Sequence, residues 1–199
     1  MSQPLSVEHI DWLESALNDI QYVDKIKSVN KISQYWDLLC EGQKSQNLCG
    51  WKEPDVWLKN AVFDAIGPVQ AIPFQSTVLD VGAGSGLPGI VFACFRPDIK
   101  LISVEMRKKR TEFLETAYKQ LDIKGTVVCA DVKSVNERVD IITARAVARP
   151  DELIAMTKHL AHKKTRWILP QTPCDVAHKG TWHTMTYEAY VSHWWLSDA

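Results

Sequence analysis

Apolar residues recur along the first third of the chain at intervals of three and four. Leu5, Ile10, Leu13, Leu17 and Ile20 form one series, Ile32, Tyr35, Trp36 and Leu39 a second, and Val56, Val62, Phe63 and Ile66 a third. That period puts the apolar side chains on one face of an α-helix, so this part is expected to be helical. After Pro73 the pattern shortens to β-branched runs: TVLDV (77–81), KLISVE (100–105), GTVVCA (125–130), VDIITAR (139–145) and RWILP (166–170). Amphipathic stretches at 88–95, 107–121 and 150–161 separate them. Strands alternating with helices predict βαβ crossovers, hence an α/β fold with a mostly parallel sheet covered on both faces. The expected division is a helical N-terminal extension, residues 1–74, packed on a domain of residues 75–199. YVSHWWL (190–196) reads as a last strand at the sheet edge, with Trp194 and Trp195 in the core.

Composition narrows the picture only moderately. With 199 residues and 46% apolar content, the chain can bury one good core. No apolar stretch approaches the roughly 20 residues of a membrane span, and the acidic start MSQPLSVEHIDWLE is unlike a signal peptide. A cytoplasmic monomer with no membrane contact is expected. Cys40, Cys49, Cys94, Cys129 and Cys174 are irregularly spaced and include no CxxC pair, so they read as thiols of a reducing compartment. His178, His183 and His193 lie too far apart for a metal signature, and no metal is expected. A net charge of −1 leaves any nucleic-acid contact to the local runs RKKR (107–110) and HKKTR (162–166), each of which also reads as a solvated face.

The chemistry concentrates in VLDVGAGSGLPGIV (78–91). Ligands of parallel sheets sit beyond the carboxyl ends of the strands, and glycines there let the backbone turn tightly and a ligand approach closely. Gly84, Gly86 and Gly89 also fit GxGxxG, which by itself admits a nicotinamide or flavin cofactor. Asp80, directly before the loop, favours a cationic ligand over a diphosphate, because S-adenosylmethionine carries an ammonium and a sulfonium; alternatively it caps the following helix. Glu105 ends the next strand, where an acid accepts hydrogen bonds from both ribose hydroxyls; alternatively it pairs with Arg107 or Lys108. Asp131, after GTVVCA, is either a contact to the adenine edge or a turn-forming aspartate. HExxH, GxSxG and GxxxxGK[ST] are all missing from the sequence, which leaves zinc-protease, serine-hydrolase and P-loop readings without support.

LDVGAGSGLPGI, VEMRKKRTEFL and VDIITARAVA together resemble the bacterial small-subunit ribosomal RNA guanine-N7 methyltransferases, the glucose-inhibited division protein B family. QNLCGWKEPDVWLKNAVFDAI resembles that family's NLT segment and the helix after it, so the resemblance runs from about residue 30 to 170. It implies a Rossmann-like class I methyltransferase fold, S-adenosylmethionine as cofactor, and small-subunit ribosomal RNA or the assembling subunit as partner. By the same resemblance Gly82, Gly84, Gly86 and Glu105 hold the cofactor, with Ala83, Leu87 and Met106 beside them, and Arg145 of ARA lies close to both cofactor and target base; alternatively Arg145 forms a salt bridge with Asp80 or Asp140. Asn47 of QNLC is a second candidate, either donating to the base or ordering the N-terminal segment over the cofactor. The chain departs from the family at Gln43 and Lys44, at Cys49, at Asn60 and Ala61, where the family has an arginine–histidine pair, and at Gln171. Lys59 is a neighbouring replacement for the missing charge. These departures leave two other readings: a class I methyltransferase acting on another RNA or a small molecule, and a ribosome-associated cofactor-binding protein without turnover.

Overall fold

The structure is a computed structural model, and it describes residues 3–18, 20, 24–48 and 50–198. Among them a seven-stranded sheet has the order β3-β2-β1-β4-β5-β7-β6. Its strands are β1 (Thr77–Val81), β2 (Lys100–Glu105), β3 (Gly125–Cys129), β4 (Ile141–Ala144), β5 (Arg166–Pro170), β6 (Thr181–Tyr187) and β7 (Tyr190–Asp198). The first five are parallel, and β7 and β6 add as an antiparallel hairpin. In β1, β2 and β4 nearly every residue is buried, so these strands read as continuous apolar runs rather than alternating ones.

Strand order reverses between β1 and β4, the position at which a parallel sheet opens a crevice. The register decides what stands on its rim. Val81 pairs with Val104 and with Ala144, and Glu105 pairs with Cys129. The residues that follow each of these, Gly82, Glu105, Arg145 and Ala130–Asp131, therefore share one edge although 50 or more positions separate the outermost of them.

Helices α5 (Gly89–Phe95) and α6 (Lys108–Gln120) cover one face of the sheet. Outside them, in the same apolar core, lie α1 (Val7–Ala16), α2 (Lys25–Gly42), α3 (Pro54–Trp57) and α4 (Phe63–Val69), the last two joined by a π-helical turn over Leu58–Val62. The side chains of Ser6 and Asp24 accept the backbone N–H groups of His9 and Lys27 and so start α1 and α2. Tyr35, Trp36 and Trp57 are fully buried, with the two tryptophan rings 4.9 Å apart. Each contributes roughly 1.5 to 3 kcal/mol of apolar burial, which ties the helical segment to the sheet. The side chain of Ser28 donates to the Cys94 carbonyl of α5 at 3.1 Å. Helix α7 (Pro150–Thr157) covers the opposite face over Leu79, Val81, Ile102, Val104 and Ile142.

The final strand differs from the sequence expectation. Residues 190–198 lie between β5 and β6, and the edge belongs to β6, whose TWHTMTY run turns back at Glu188. The turn at Glu188 and Ala189 carries no glycine, so the usual hairpin signal is missing there. Trp194 and Trp195 are buried, as the sequence suggested. Cys94 is buried and Cys129 and Cys174 are exposed, while Cys49 lies outside the described residues. No helix among the described residues is long and apolar enough to cross a membrane.

Candidate active site

The loop after β1 carries three glycines in left-handed conformation, Gly82 (φ 63), Gly84 (φ 57) and Gly86 (φ 102). Gly86 is the least replaceable, since a Cβ there would stand 2.3 Å from Ile90 Cδ1 and 3.1 Å from the Tyr35 hydroxyl. That hydroxyl donates to the Ser85 carbonyl at 2.7 Å, so α2 holds the loop from behind. Above the loop a cleft of about 700 Å³ is lined by Gly82, Ala83, Gly84, Ser85 and Leu87, by Val104–Arg107 and Arg110, by Ala130–Val132 and by Arg145–Val147. Leu48, Gly50, Trp51, Val81 and Met156 complete it.

Glu105 is buried in the cleft wall. Its carboxylate accepts the Gly84 N–H at 3.0 Å and the Arg107 N–H at 2.9 Å, so loop and acid are held in fixed relation. The Arg107 guanidinium lies 3.4 Å from it, so the pairing considered for Glu105 is present together with its place in the cleft. Met106 is two-thirds exposed at the mouth. Asp131 is exposed, lines the cleft, and also accepts the Lys133 N–H at 2.9 Å, which starts a short 3₁₀ turn.

Asp80 does not reach the cleft. It shares a face of β1 with Val78, beneath α5, and its carboxylate accepts the Gly89 N–H at 3.0 Å. The helix-capping alternative therefore describes its contact, and the expected place beside a ligand is corrected. A Cβ on Gly89 would fall 2.6 Å from the same carboxylate, so that glycine serves helix packing. The other Asp80 oxygen is buried without a partner, and burial pushes the carboxyl up to about 7, with the Glu105 charge adding to the effect.

Arg145 lines the cleft at the end of β4. Its guanidinium donates to Asp64 at 3.0 Å and to the Asn60 carbonyl, while Nη1 is buried and unpartnered, and the guanidinium carbon stands 5.3 Å from the Trp51 ring centroid. The acid beside it is Asp64, 81 positions away, rather than a strand aspartate; burial raises the Asp64 carboxyl and the Arg145 charge opposes that rise. Asp140 instead accepts the Thr77 N–H and faces His162. Ala146, next in the chain, is held at φ 55, a conformation that costs a non-glycine residue about 1 kcal/mol or more.

Two more candidates, besides Asp80, fall outside the cleft. Gly86 supports the loop from below, and Asn47 lines an adjacent cavity of about 910 Å³ between α2 and Gly50, Trp51, Lys52 and Glu53. The Asn47 carbonyl lies 3.4 Å from the Arg110 guanidinium, which joins the two regions.

Residues 28–178 match the family described as rRNA small subunit methyltransferase G. The chain belongs to that family. It is 34% identical over 143 residues to the ribosomal RNA small subunit methyltransferase G of Mesomycoplasma hyopneumoniae strain J, covering 67% of this chain and 70% of that one. The enzyme of the same name from Neisseria meningitidis serogroup C is 31% identical over 153 residues, 73% of this chain and 74% of its own. Among solved structures, a precorrin-6y C5,15-methyltransferase from Geobacter metallireducens matches with a TM-score of 0.52 at 12% identity, covering 76% of this chain and 90% of that one. A ribosomal protein L11 methylase from Lactobacillus delbrueckii matches at 0.52 and 14%, covering 70% and 78%. At such identities the two structures speak for the fold alone, the Rossmann-like class I methyltransferase fold.

As a member of this family the protein is an S-adenosylmethionine-dependent methyltransferase. The cleft fits that cofactor. A Cβ at Gly82 would strike Val147 at 2.7 Å, so the cradle depends on glycine, and Glu105 offers a buried acceptor beside it. Val104, Met106, Ala130 and Val132 add an apolar lining next to Asp131. Sequence reasoning missed Asp64 and Trp51. For Trp51 the available signal was a large aromatic between Gly50 and Lys52, outside every helical series.

Proposed function

We propose that this protein methylates N7 of a guanine in small-subunit ribosomal RNA, with the cofactor in the 700 Å³ cleft. The observation that carries this is the shared rim: glycine loop, Glu105 and Arg145 project from the ends of three adjacent strands into one space. When bound, S-adenosylmethionine supplies an electrophilic methyl group on a sulfonium. Gly82, Ala83, Gly84 and Leu87 let its backbone-facing parts approach, the Glu105 carboxylate accepts its ribose hydroxyls, and Met106 and Asp131 border its base. Gly86 serves by shaping the loop. Asp80 ties the start of α5 to β1 from below without touching the ligand.

Guanine N7 carries a lone pair and no proton, so its attack needs no general base. Positioning and exclusion of water then supply most of the rate. Arg145 is the positioning residue: Nη2 is anchored on Asp64 and Asn60, and the guanidinium so fixed lines the cleft where it can donate to guanine O6. Asn47, in the adjoining cavity, faces the RNA rather than the cofactor. Residues 1–74 act as an extension supporting the loop and this RNA side, and we place the protein in the cytoplasm as a monomer working on the RNA or the assembling subunit.

One observation favours a different RNA. Asn60 donates to Val56 of its own helix, Ala61 is buried, and Lys59 pairs with Asp55 and lies over Tyr190, so none of the three offers an unengaged charge. Methyl transfer to small-subunit ribosomal RNA, with and without ribosomal proteins, tests the assignment, and N7 is located by cleavage at the modified base. In that assay Arg145→Ala should lower transfer strongly while binding of S-adenosylhomocysteine changes little. Arg145→Lys should rescue poorly, because an ammonium lacks the planar fork. A folded Arg145→Ala protein that transfers at the parental rate removes the positioning role.

A further inference from the structure

The cofactor cleft and the larger 910 Å³ cavity share two lining residues, Gly50 and Trp51. Trp51 is half-buried between them, with the Arg145 guanidinium 5.3 Å from its ring centroid. We propose that the larger cavity receives the guanine that is methylated, and that Trp51 is the ring on which this base stacks. The proposal rests on the guanine-N7 reading and adds to it the site of the base and the residue that selects it.

Three features argue for a base rather than a phosphate here. Trp36 and Leu39 form an apolar floor suited to a flat ring. Asp37, Glu41 and Glu53 add carboxylates to the rim, and one of the two lysines beside them, Lys44, is already paired with Glu41. An ionised carboxylate only accepts hydrogen bonds and repels phosphate. Guanine alone among the common bases presents two adjacent donors, N1–H and the N2 amino group, on its pairing edge. With N1–H and N2 toward the carboxylates, the neighbouring edge, which carries N7 and O6, is left for Arg145 and the cofactor cleft. An unpaired base stacked on an aromatic ring is the usual means by which proteins take up single-stranded RNA.

The test compares Trp51→Ala and Trp51→Phe with the parental protein in methyl transfer to small-subunit ribosomal RNA, alongside calorimetry with S-adenosylhomocysteine and a thermal melt. Trp51→Ala should lower kcat/KM for RNA by about tenfold or more, the scale for losing an aromatic stack, and Trp51→Phe should recover most of it. S-adenosylhomocysteine affinity should fall far less than kcat/KM in both, since Trp51 only borders the cofactor cleft. Parental kcat/KM in Trp51→Ala, a Trp51→Phe variant as poor as Trp51→Ala, or loss of S-adenosylhomocysteine affinity in step with transfer would each overturn the proposal. A second measurement needs neither turnover nor the alanine variant. The ¹⁵N indole resonance of Trp51, assigned by its loss in Trp51→Phe, is followed in protein saturated with S-adenosylhomocysteine as guanosine monophosphate is added, with ribose 5-phosphate as control. A shift with the nucleotide and none with the sugar phosphate supports the platform, and a resonance unmoved by the nucleotide refutes it. If the parental protein methylates no small-subunit RNA, the proposed activity fails and the indole titration alone decides the platform.

Discussion

Replacing Asp80 by asparagine isolates one buried carboxyl beneath the glycine loop. Asp80 is fully buried, and its folded-state value of about 7 compares with 3.8 for an ordinary aspartate. Holding it ionised in the folded protein therefore costs on the order of 4 kcal/mol at alkaline pH, taking about 1.4 kcal/mol per pKa unit. Between about pH 4 and pH 7 the folded state keeps a proton that the unfolded state has released, so this group lowers stability as pH rises through that window and adds no further change above it. That direction is opposite to the one produced by a salt-bridged carboxylate. The asparagine carbonyl still accepts the Gly89 N–H, while its amino group takes the position of the unpartnered oxygen, at a pH-independent cost of about 1 to 3 kcal/mol. Urea unfolding of both proteins from about pH 5 to pH 8 gives the stability difference, in which the other titrating groups largely cancel. The difference should move in favour of Asp80→Asn by about 2 to 3 kcal/mol across that range. A difference that stays constant, or that moves toward the parental protein as pH rises, refutes the reasoning.

Four further outcomes are expected. Glu105→Ala should weaken binding of S-adenosylmethionine by about 1 to 3 kcal/mol in calorimetry, the cost of losing hydrogen bonds to a charged acceptor, and unchanged affinity would remove Glu105 from the site. Gly86→Ala should lower stability by about 2 kcal/mol or more, because its Cβ meets Ile90 and Tyr35, whereas at Gly84 it meets only the tip of Arg110 at 2.9 Å; equal melting temperatures for the two variants would contradict this. Arg145→Ala leaves Asp64 partly buried without its cation and should cost about 1 to 3 kcal/mol, much of it recovered by adding Asp64→Asn, as a double-mutant cycle reads out. If the exposed face of α6 contacts phosphates, Lys109→Ala should shallow the slope of log K for RNA against log salt by roughly one, and a salt-independent affinity would leave RKKR an ordinary helix face.

The order of helices and strands, the glycine loop and the acid at the end of β2 were legible in the sequence, because each is written in local period and turn chemistry. TVLDV, KLISVE and RWILP coincide with β1, β2 and β5. Family membership was legible for the same reason, since its motifs are short and contiguous. Contacts between distant segments were not. Asp64 meets Arg145 only because α4 packs on β5 and β7 and β5 pairs with β4, and Trp51 acquires a position only when its segment closes between the two cavities. Asp80 shows how local spacing and three-dimensional placement part company. One residue before the loop, it looked adjacent to a ligand, yet strand alternation turns its side chain under α5, and which face that helix covers is decided by the crossover and not by the motif. The place of β7 inside the sheet likewise follows from pairing, which depends on backbone hydrogen bonds between strands far apart in the chain and leaves no trace in either strand alone.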